Sequence, residues 1–325
     1  MCRSQCRLRT HGPDRPALVA GLDKCWLPWI VAIVLSVTTC SASPQSFQPT
    51  AVVGGKVIQD ILEQCKRDGA QDGDECRLAA YGAATTVYVE GVDKLNRKAW
   101  GGTGSIVCQD VVLVAAHTVR PALGVGDGFR YGIELSVDID RNPFAAGSGG
   151  YSVRVQKVVV HGRYVDEGVA SSSSDLALIK LREPIRAPYR PADLIRTDST
   201  RLVDGVPIAI IGFGESETSE PAPYRRRLKT LRPLDPAVQA GSTSGYNQKN
   251  INVSGGGCNG DSGGPGVVIS DVIEQVGVTI EGDGRACERI TSFARVKENR
   301  PELCRMFDRL GASCRNPFCD ALPGR

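Results

Sequence analysis

Once its N-terminal stretch is set aside, the chain lacks an excess of charge of either sign. The formal charge is +3, but residues 1–43 hold Arg3, Arg7, Arg9, Arg15 and Lys24 against Asp14 and Asp23, which leaves 34 basic and 34 acidic residues elsewhere. Binders of nucleic acid carry a basic face or stripe, so that partner class is excluded. Paired C-x-x-C spacings are also missing among the cysteines beyond Cys40, and no metal or other cofactor is expected. Histidine is scarce: there are three, His11, His117 and His161, and none follows Ser262. No internal repeat is visible.

What is present begins with an apolar run, Trp26 to Val37, preceded by basic residues and followed by the small residues of Thr38 to Ser43. The run is short for a membrane span and has the pattern of a secretory signal, so residues 1–43 are expected to be a signal peptide or signal anchor. Export to the extracellular medium, periplasm or cell envelope follows. A membrane partner follows only if the signal stays uncleaved or Cys40 is lipidated. Eight cysteines lie beyond Cys40, namely Cys65, Cys76, Cys108, Cys258, Cys287, Cys304, Cys314 and Cys319. An even number behind a signal suggests disulfides, which persist in oxidising compartments.

From Thr85 to Val296, short β-branched runs alternate with Gly, Pro, Ser and Asp: TTVYVE, GSIVCQDVVLVAA, YSVRVQKVVVHG, DLALIKL, VPIAIIGFG, GPGVVIS and IEQVGVTI. Repeated strands without an intervening helical period predict an all-β barrel or sandwich rather than a parallel α/β sheet. Residues 44–84 are expected to form an N-terminal, propeptide-like extension. Within it, Val57, Ile58, Ile61 and Leu62 predict a short helix, and Cys65 and Cys76 flank a loop rich in Asp and Gly. Residues 85–300 form the main domain. In the last segment, 301–325, Pro301 to Leu310 reads as a helix with proline at its start and Gly311 past its end, before a cysteine-containing tail.

Cleaving an unactivated acyl bond needs a nucleophile, a base, a group that orients the base, and donors for the developing oxyanion. In Cys258-Asn259-Gly260-Asp261-Ser262-Gly263-Gly264-Pro265, glycines crowd one serine and leave its backbone N–H groups open to a substrate carbonyl. The plainer reading is a glycine-rich hairpin with an incidental serine. His117 ends the apolar strand VVLVAAH, and His161 is the other possible base. Asp175 opens the apolar strand DLALIKL, and an acid drawn inside there wants a partner. The pattern Gly260-x-Ser262-x-Gly264 also fits the nucleophile elbow of α/β-hydrolases, whose histidine comes after the serine. No such histidine exists here, whereas the order His, Asp, Ser is that of β-barrel enzymes.

These stretches resemble the trypsin/chymotrypsin family over roughly Thr85 to Val296: GSIV…VVLVAAHT its histidine motif, VVVHGRYV…DLALIKL its aspartate motif, IIGFG its glycine-aromatic-glycine strand, and GCNGDSGGP its serine motif. The resemblance implies a chymotrypsin-like fold, two antiparallel six-stranded Greek-key β-barrels with a C-terminal helix. It implies a secreted, monomeric serine endopeptidase acting on protein or peptide substrates. His117, Asp175 and Ser262 would be the triad, and the N–H groups of Gly260 and Ser262 the oxyanion hole. Asp261 would pair with the ammonium of a mature terminus at Val52. Cys258 would bridge to Cys287 beside the specificity pocket, with Cys65–Cys76, Cys108–Cys304 and Cys314–Cys319 as the remaining bridges.

Several positions depart from the family. Ala51 precedes Val52 where Arg or Lys is usual, and Gly102 and Thr118 replace the cysteines flanking the histidine. Gly256 stands where a trypsin carries an aspartate, so cleavage after Lys or Arg lacks its counter-charge. Gly282 and Thr291 would line the pocket walls, which suits small or medium apolar side chains, with Glu281 nearby. Ile280-Glu281-Gly282 replaces Ser-Trp-Gly. The alternative to an active enzyme is a protease-shaped binding module.

Overall fold

The structure is a computed structural model that describes residues 55–124, 129–139, 151–164, 173–194, 206–214, 226–231, 250–282, 287, 290–312, 314 and 317–320. The expected signal segment, Cys40 and Val52 lie outside the described residues.

The first described elements are a two-residue strand, β1 (Lys56–Val57), and two helices, α1 (Ile58–Asp68) and α2 (Asp74–Thr85). Ile58, Ile61 and Cys65 recur at helical spacing and are buried; Gly69, with φ 66°, then ends α1 and donates its N–H to the Cys65 carbonyl. The sequence reading stopped at one helix and a stapled loop. The structure continues into α2 because Leu78, Ala79 and Tyr81 form a second buried face on an alanine-rich segment. Cys65 and Cys76 are joined, with Cα atoms 6.0 Å apart. This helical pair packs on Ala209, Ile211, Leu228 and Val267. A Cβ on Gly82 would stand 2.8 Å from Ile58 Cδ1 and 3.0 Å from Ile211 Cδ1, so a larger residue there would push these side-chain ends aside.

Six antiparallel strands then close a barrel: β2 (Thr86–Asp93), β3 (Lys98–Cys108), β4 (Val111–Val114), β5 (Ile133–Asp138), β6 (Ser152–Val160) and β7 (Ala177–Leu181), in the order β2-β3-β4-β7-β6-β5. A short helix, α3 (Ala116–Val119), and a 3-10 turn, Arg120–Ala122, follow β4. The second half holds β8 (Ile208–Gly212), β9 (Arg227–Leu231), β10 (Asn250–Ser254), β11 (Pro265–Ile269), β12 (Ile273–Gly282) and β13 (Ile290–Arg295). They pair in the order β9-β8-β11-β12-β13-β10, and β1 adds to the β9 edge.

Strands β4 and β7 are buried on both faces, because successive side chains point to opposite sides. Val112, Val114, Ala177 and Ile179 fill the barrel interior. Val111, Leu113 and Leu178 turn outward into a second core with Ile208, Ile210, Val276, Val278 and Phe293. Each such side chain contributes about 1.5–3 kcal/mol by leaving water, so this shared core is what joins the halves.

The chain ends in α4 (Arg300–Leu310) and α5 (Pro317–Asp320). As the sequence predicted, Pro301 lies in the first turn of α4, and Gly311, φ 62°, closes it. Leu303, Met306, Phe307 and Leu310 join the shared core. Two expected disulfides are corrected here: Cys108 pairs with Cys314, and Cys304 with Cys319. The reason is geometric. Cys304 lies on the buried face of α4, against which α5 packs, and its Cα is 5.6 Å from that of Cys319. Cys314, past the end of α4, then meets the last residue of β3, Cα to Cα 6.0 Å.

Candidate active site

Antiparallel pairing sets Val114 opposite Ala177. The end of β4 therefore lies beside the start of β7, and the residues just beyond, His117 and Asp175, meet although 58 positions apart. One Asp175 oxygen, Oδ1, accepts the backbone N–H of His117 at 2.8 Å, and the other, Oδ2, lies 2.6 Å from its Nδ1. Asp175 is fully buried, while the imidazole keeps 26% of its side chain exposed. With Nδ1 engaged, Nε2 is the ring nitrogen left for chemistry. Trp100 supports the turn by donating its indole N–H to the Thr118 carbonyl at 2.9 Å.

His161, the other sequence candidate for the base, is buried at the far end of β6. Burial pushes its pKa down; the Arg163 and Arg305 guanidinium groups act in the same direction, against Glu302 and Asn299. Its Nδ1 accepts the Arg163 N–H at 3.1 Å. The partnership with Asp175 belongs to His117.

Ser262 lies half-buried between β10 and β11, in a loop fastened at several points. Thr103 on β3 grips it at two points and ties it to the end of β8. Its hydroxyl donates to the Gly260 carbonyl at 2.8 Å while accepting the Phe213 N–H at 3.0 Å. Its own N–H donates to the Ser262 carbonyl at 2.9 Å. A Cβ on Gly263, φ 90°, would stand 2.1 Å from the Thr103 carbonyl oxygen and 3.0 Å from the Ala115 nitrogen. Glycine there is what lets the serine loop press against Thr103 of β3 and the end of β4, just before His117. Gly102 faces Thr118: a Cβ on it would lie 2.6 Å from Thr118 Cγ2 and 2.8 Å from the Ser262 carbonyl oxygen. The two positions where the family has a bridge do face each other, and Thr118 fills the space.

Asp261 is fully buried. Its Oδ1 accepts the Gly214 N–H at 2.8 Å and its Oδ2 the Cys258 N–H at 2.9 Å. A Cβ on Gly212 would come within 2.0 Å of Oδ1, and one on Gly214 within 2.6 Å of the carboxyl carbon. The Gly-Phe-Gly sequence thus makes room for a buried carboxylate. Cys258 and Cys287 are joined, Cα to Cα 5.1 Å.

On the expected specificity side, Gly282 pairs with Thr291 across β12 and β13. A Cβ on Gly282 would lie 2.0 Å from the Gly257 carbonyl oxygen, and Thr291 Oγ1 accepts the Gly257 N–H at 2.9 Å. A Cβ on Gly256 would point at Leu231 Cδ2, 2.7 Å away, and at Lys229, whose Nζ would be 3.5 Å away. Ile280 is buried in the core shared by the halves.

The sequence reading passed over Thr103 and Trp100. The run Gly101-Gly102-Thr103-Gly104 before β3's apolar stretch is the signal that backbone from elsewhere comes close. Among the described residues no group of three or more His, Cys, Asp or Glu is placed to hold a metal ion.

Two halves of six strands each, with a histidine–carboxylate couple from one and a glycine-framed serine from the other, define the chymotrypsin-like class of fold. The comparisons agree. A family model described as Trypsin matches residues 71–301, and the chain belongs to the trypsin family of serine proteases. It is similar to chymotrypsin-like elastase family member 1 of Homo sapiens, 28% identical over 193 residues, 57% of this chain and 71% of that protein. The Macaca fascicularis protein of the same description is 29% identical over 174 residues, 50% of this chain and 60% of that protein. A solved structure described as "Structure of GrC" has the same fold, with a TM-score of 0.56 and 20% identity over 70% of this chain and 96% of that one.

Proposed function

We propose that the chain is an active, exported serine endopeptidase that works through His117, Asp175 and Ser262. The observation that carries this reading is the double hold of Asp175 on the His117 N–H and Nδ1, which orients Nε2 as a base. Ser262 Oγ attacks the scissile carbonyl carbon while its proton passes to His117 Nε2. The resulting oxyanion is held by the N–H groups of Gly260 and Ser262. His117 then protonates the leaving amine, and water, activated by the same ring, releases the acyl group. Asp261 would receive the ammonium of a terminus at Val52 once that terminus is freed.

The substrate side chain read by the main pocket is not Lys or Arg. Gly256, at the position where the resemblance puts a trypsin's aspartate, carries no carboxylate to pair with a substrate cation. Small or medium apolar side chains suit walls built of Gly282 and Thr291.

A fluorophosphonate probe tests the reading. It is expected to label the mature protein at Ser262, and labelling that fails on correctly processed protein would leave a binding module instead. Peptide-library cleavage dominated by basic residues would overturn the specificity.

A further inference from the structure

The residue after β8, Phe213, is buried, and the Arg226 guanidinium stands over its ring, 5.0 Å from the centroid. We propose that Arg226 is a positioning residue for the oxyanion hole: by holding the Phe213 ring it fixes Gly214 against Gly260 and Asp261. This rests on the endopeptidase reading above, which puts the oxyanion donors at Gly260 and Ser262, and adds what keeps that loop in shape.

Three observations support it. First, the route from Phe213 to the serine loop is one residue long. The Gly214 N–H donates to Asp261 Oδ1 at 2.8 Å, and a Cβ on Gly260 would lie 2.9 Å from Gly214 Cα, so Gly260 rests on the Gly214 backbone. The Phe213 N–H goes to the same Thr103 hydroxyl that holds the Gly260 carbonyl. A tilt of Phe213 therefore moves both supports of the loop. Second, the ring is held by two other parts of the molecule. Tyr88 of β2 meets it edge-on, centroid to centroid 5.8 Å, and Arg226, one residue before β9, covers it. A guanidinium is drawn to the electron-rich face of an aromatic ring, and more strongly where water is kept away. Third, two backbone carbonyls fix the guanidinium: Nη1 donates to Ala83 at 2.7 Å and Nη2 to Ile139 at 3.3 Å. Ala83 lies in the last turn of α2, where carbonyls lack an intrahelical partner and attract a cation, and Ile139 follows β5. The Arg226 carbonyl in turn accepts the Ile58 N–H at 3.0 Å, at the start of α1. A planar fork spans two carbonyls and a ring face at once, which a lysine ammonium does not. One side chain thus ties the serine loop to the helical pair and to the first barrel.

The test compares wild type with Arg226→Met, which keeps the apolar stem but has neither cation nor donors. The readouts are kcat, KM and the Ki of a peptide aldehyde, whose adduct with Ser262 places its oxygen in the oxyanion hole. kcat is expected to fall about tenfold and Ki to rise by the same factor, a fraction of what losing a whole oxyanion donor costs. KM should stay within about twofold, and the pH profile of kcat/KM, set by His117, should not move. Loss of folded protein would lower the apparent kcat but leave Ki where it is. Arg226→Lys, the milder change should the Met variant not fold, is expected to lose about threefold in both quantities. Adding Phe213→Leu to Arg226→Met should cost no more than the larger single change, because both act through one ring. An unchanged Ki in Arg226→Met, wild-type values in Arg226→Lys, or additive losses in the double variant would overturn the proposal while leaving the peptidase standing. If the wild type neither cleaves nor takes up the fluorophosphonate, the endopeptidase reading falls and the brace is read by amide hydrogen exchange. The N–H groups of Asp261, Gly263 and Gly264, bonded to the Cys258, Thr279 and Asp261 carbonyls, should then exchange about tenfold faster in Arg226→Met. Equal exchange there would remove the brace as well.

Discussion

The two halves are built on one pairing scheme and put to different uses. Numbering the strands of each half from one to six, five of the six pairings of the closed barrel recur in the second sheet, and the sixth would join β9 to β10. Residues 232–249, between those two strands, lie outside the described residues. In the first barrel the proposed catalytic pair sits at the ends of two paired strands, where backbone pairing fixes His117 against Asp175. In the second half the proposed nucleophile sits in a glycine-rich loop that depends on contacts from outside: Thr103 from the first barrel, the Thr279 carbonyl, which accepts the Gly263 N–H at 2.7 Å, and the Gly214 N–H, which donates to Asp261 of the loop at 2.8 Å. The proposed base and the proposed nucleophile are therefore held in different ways and should fail differently.

The largest effect is expected from Ser262→Ala: loss of about a millionfold in kcat with no change in thermal stability, since the change removes the nucleophile and spares the core. Retained peptidase activity would end the assignment. Asp175→Asn should cost about 10⁴-fold through the wrong imidazole tautomer, read as a collapse of kcat at neutral pH, with Ser262 still in place. Thr103→Val keeps the shape of the side chain but removes the hydroxyl between Gly260 and Phe213. It should lower kcat about 10- to 100-fold with KM nearly unchanged, and Thr103→Ser should restore the rate, which a purely structural role would not require. An unaltered kcat in Thr103→Val would show that the second half sets its own oxyanion loop.

The smallest effect concerns how α4, which follows the last strand of the second half, holds the first barrel. Glu302 accepts the Gly162 N–H at 3.2 Å, Asn299 donates to the Ser173 carbonyl at 2.8 Å, and Lys157 donates to the Arg309 carbonyl at 2.7 Å. His161 is buried within this contact, and burial lowers its pKa against the opposing pull of Glu302. A depressed histidine is neutral when folded, so the unfolded chain takes up the proton first, near pH 6.5. Its stabilisation is complete above that pH and is lost as pH falls through the lower folded value. Melting temperature should therefore drop between about pH 7.5 and about pH 5 in the wild type, and drop less in His161→Gln.

Much of this was legible in the residues. The runs VVLV and DLALIKL announced apolar strands, and Pro301 and Gly311 announced the bounds of α4, because those signals act over a few positions. Strands β5, β9, β10 and β13 were not singled out. β9, Arg-Leu-Lys-Thr-Leu, is half polar because only Leu228 and Leu231 face a core. Helix α2 was missed for a related reason: Leu78, Ala79 and Tyr81 become a buried face only when the second sheet is there to meet them.

The residue types and their order were enough by themselves to determine the strand-rich class, the order His, Asp, Ser, and the glycines around Ser262, since each is written in a contiguous motif. Only tertiary structure decided which cysteines pair after β3 and that Thr103 holds the serine loop from 157 positions away. The physical reason is that the entropy of closing a chain loop changes slowly with its length, so spacing alone does not select a distant partner. The packing of the two halves does.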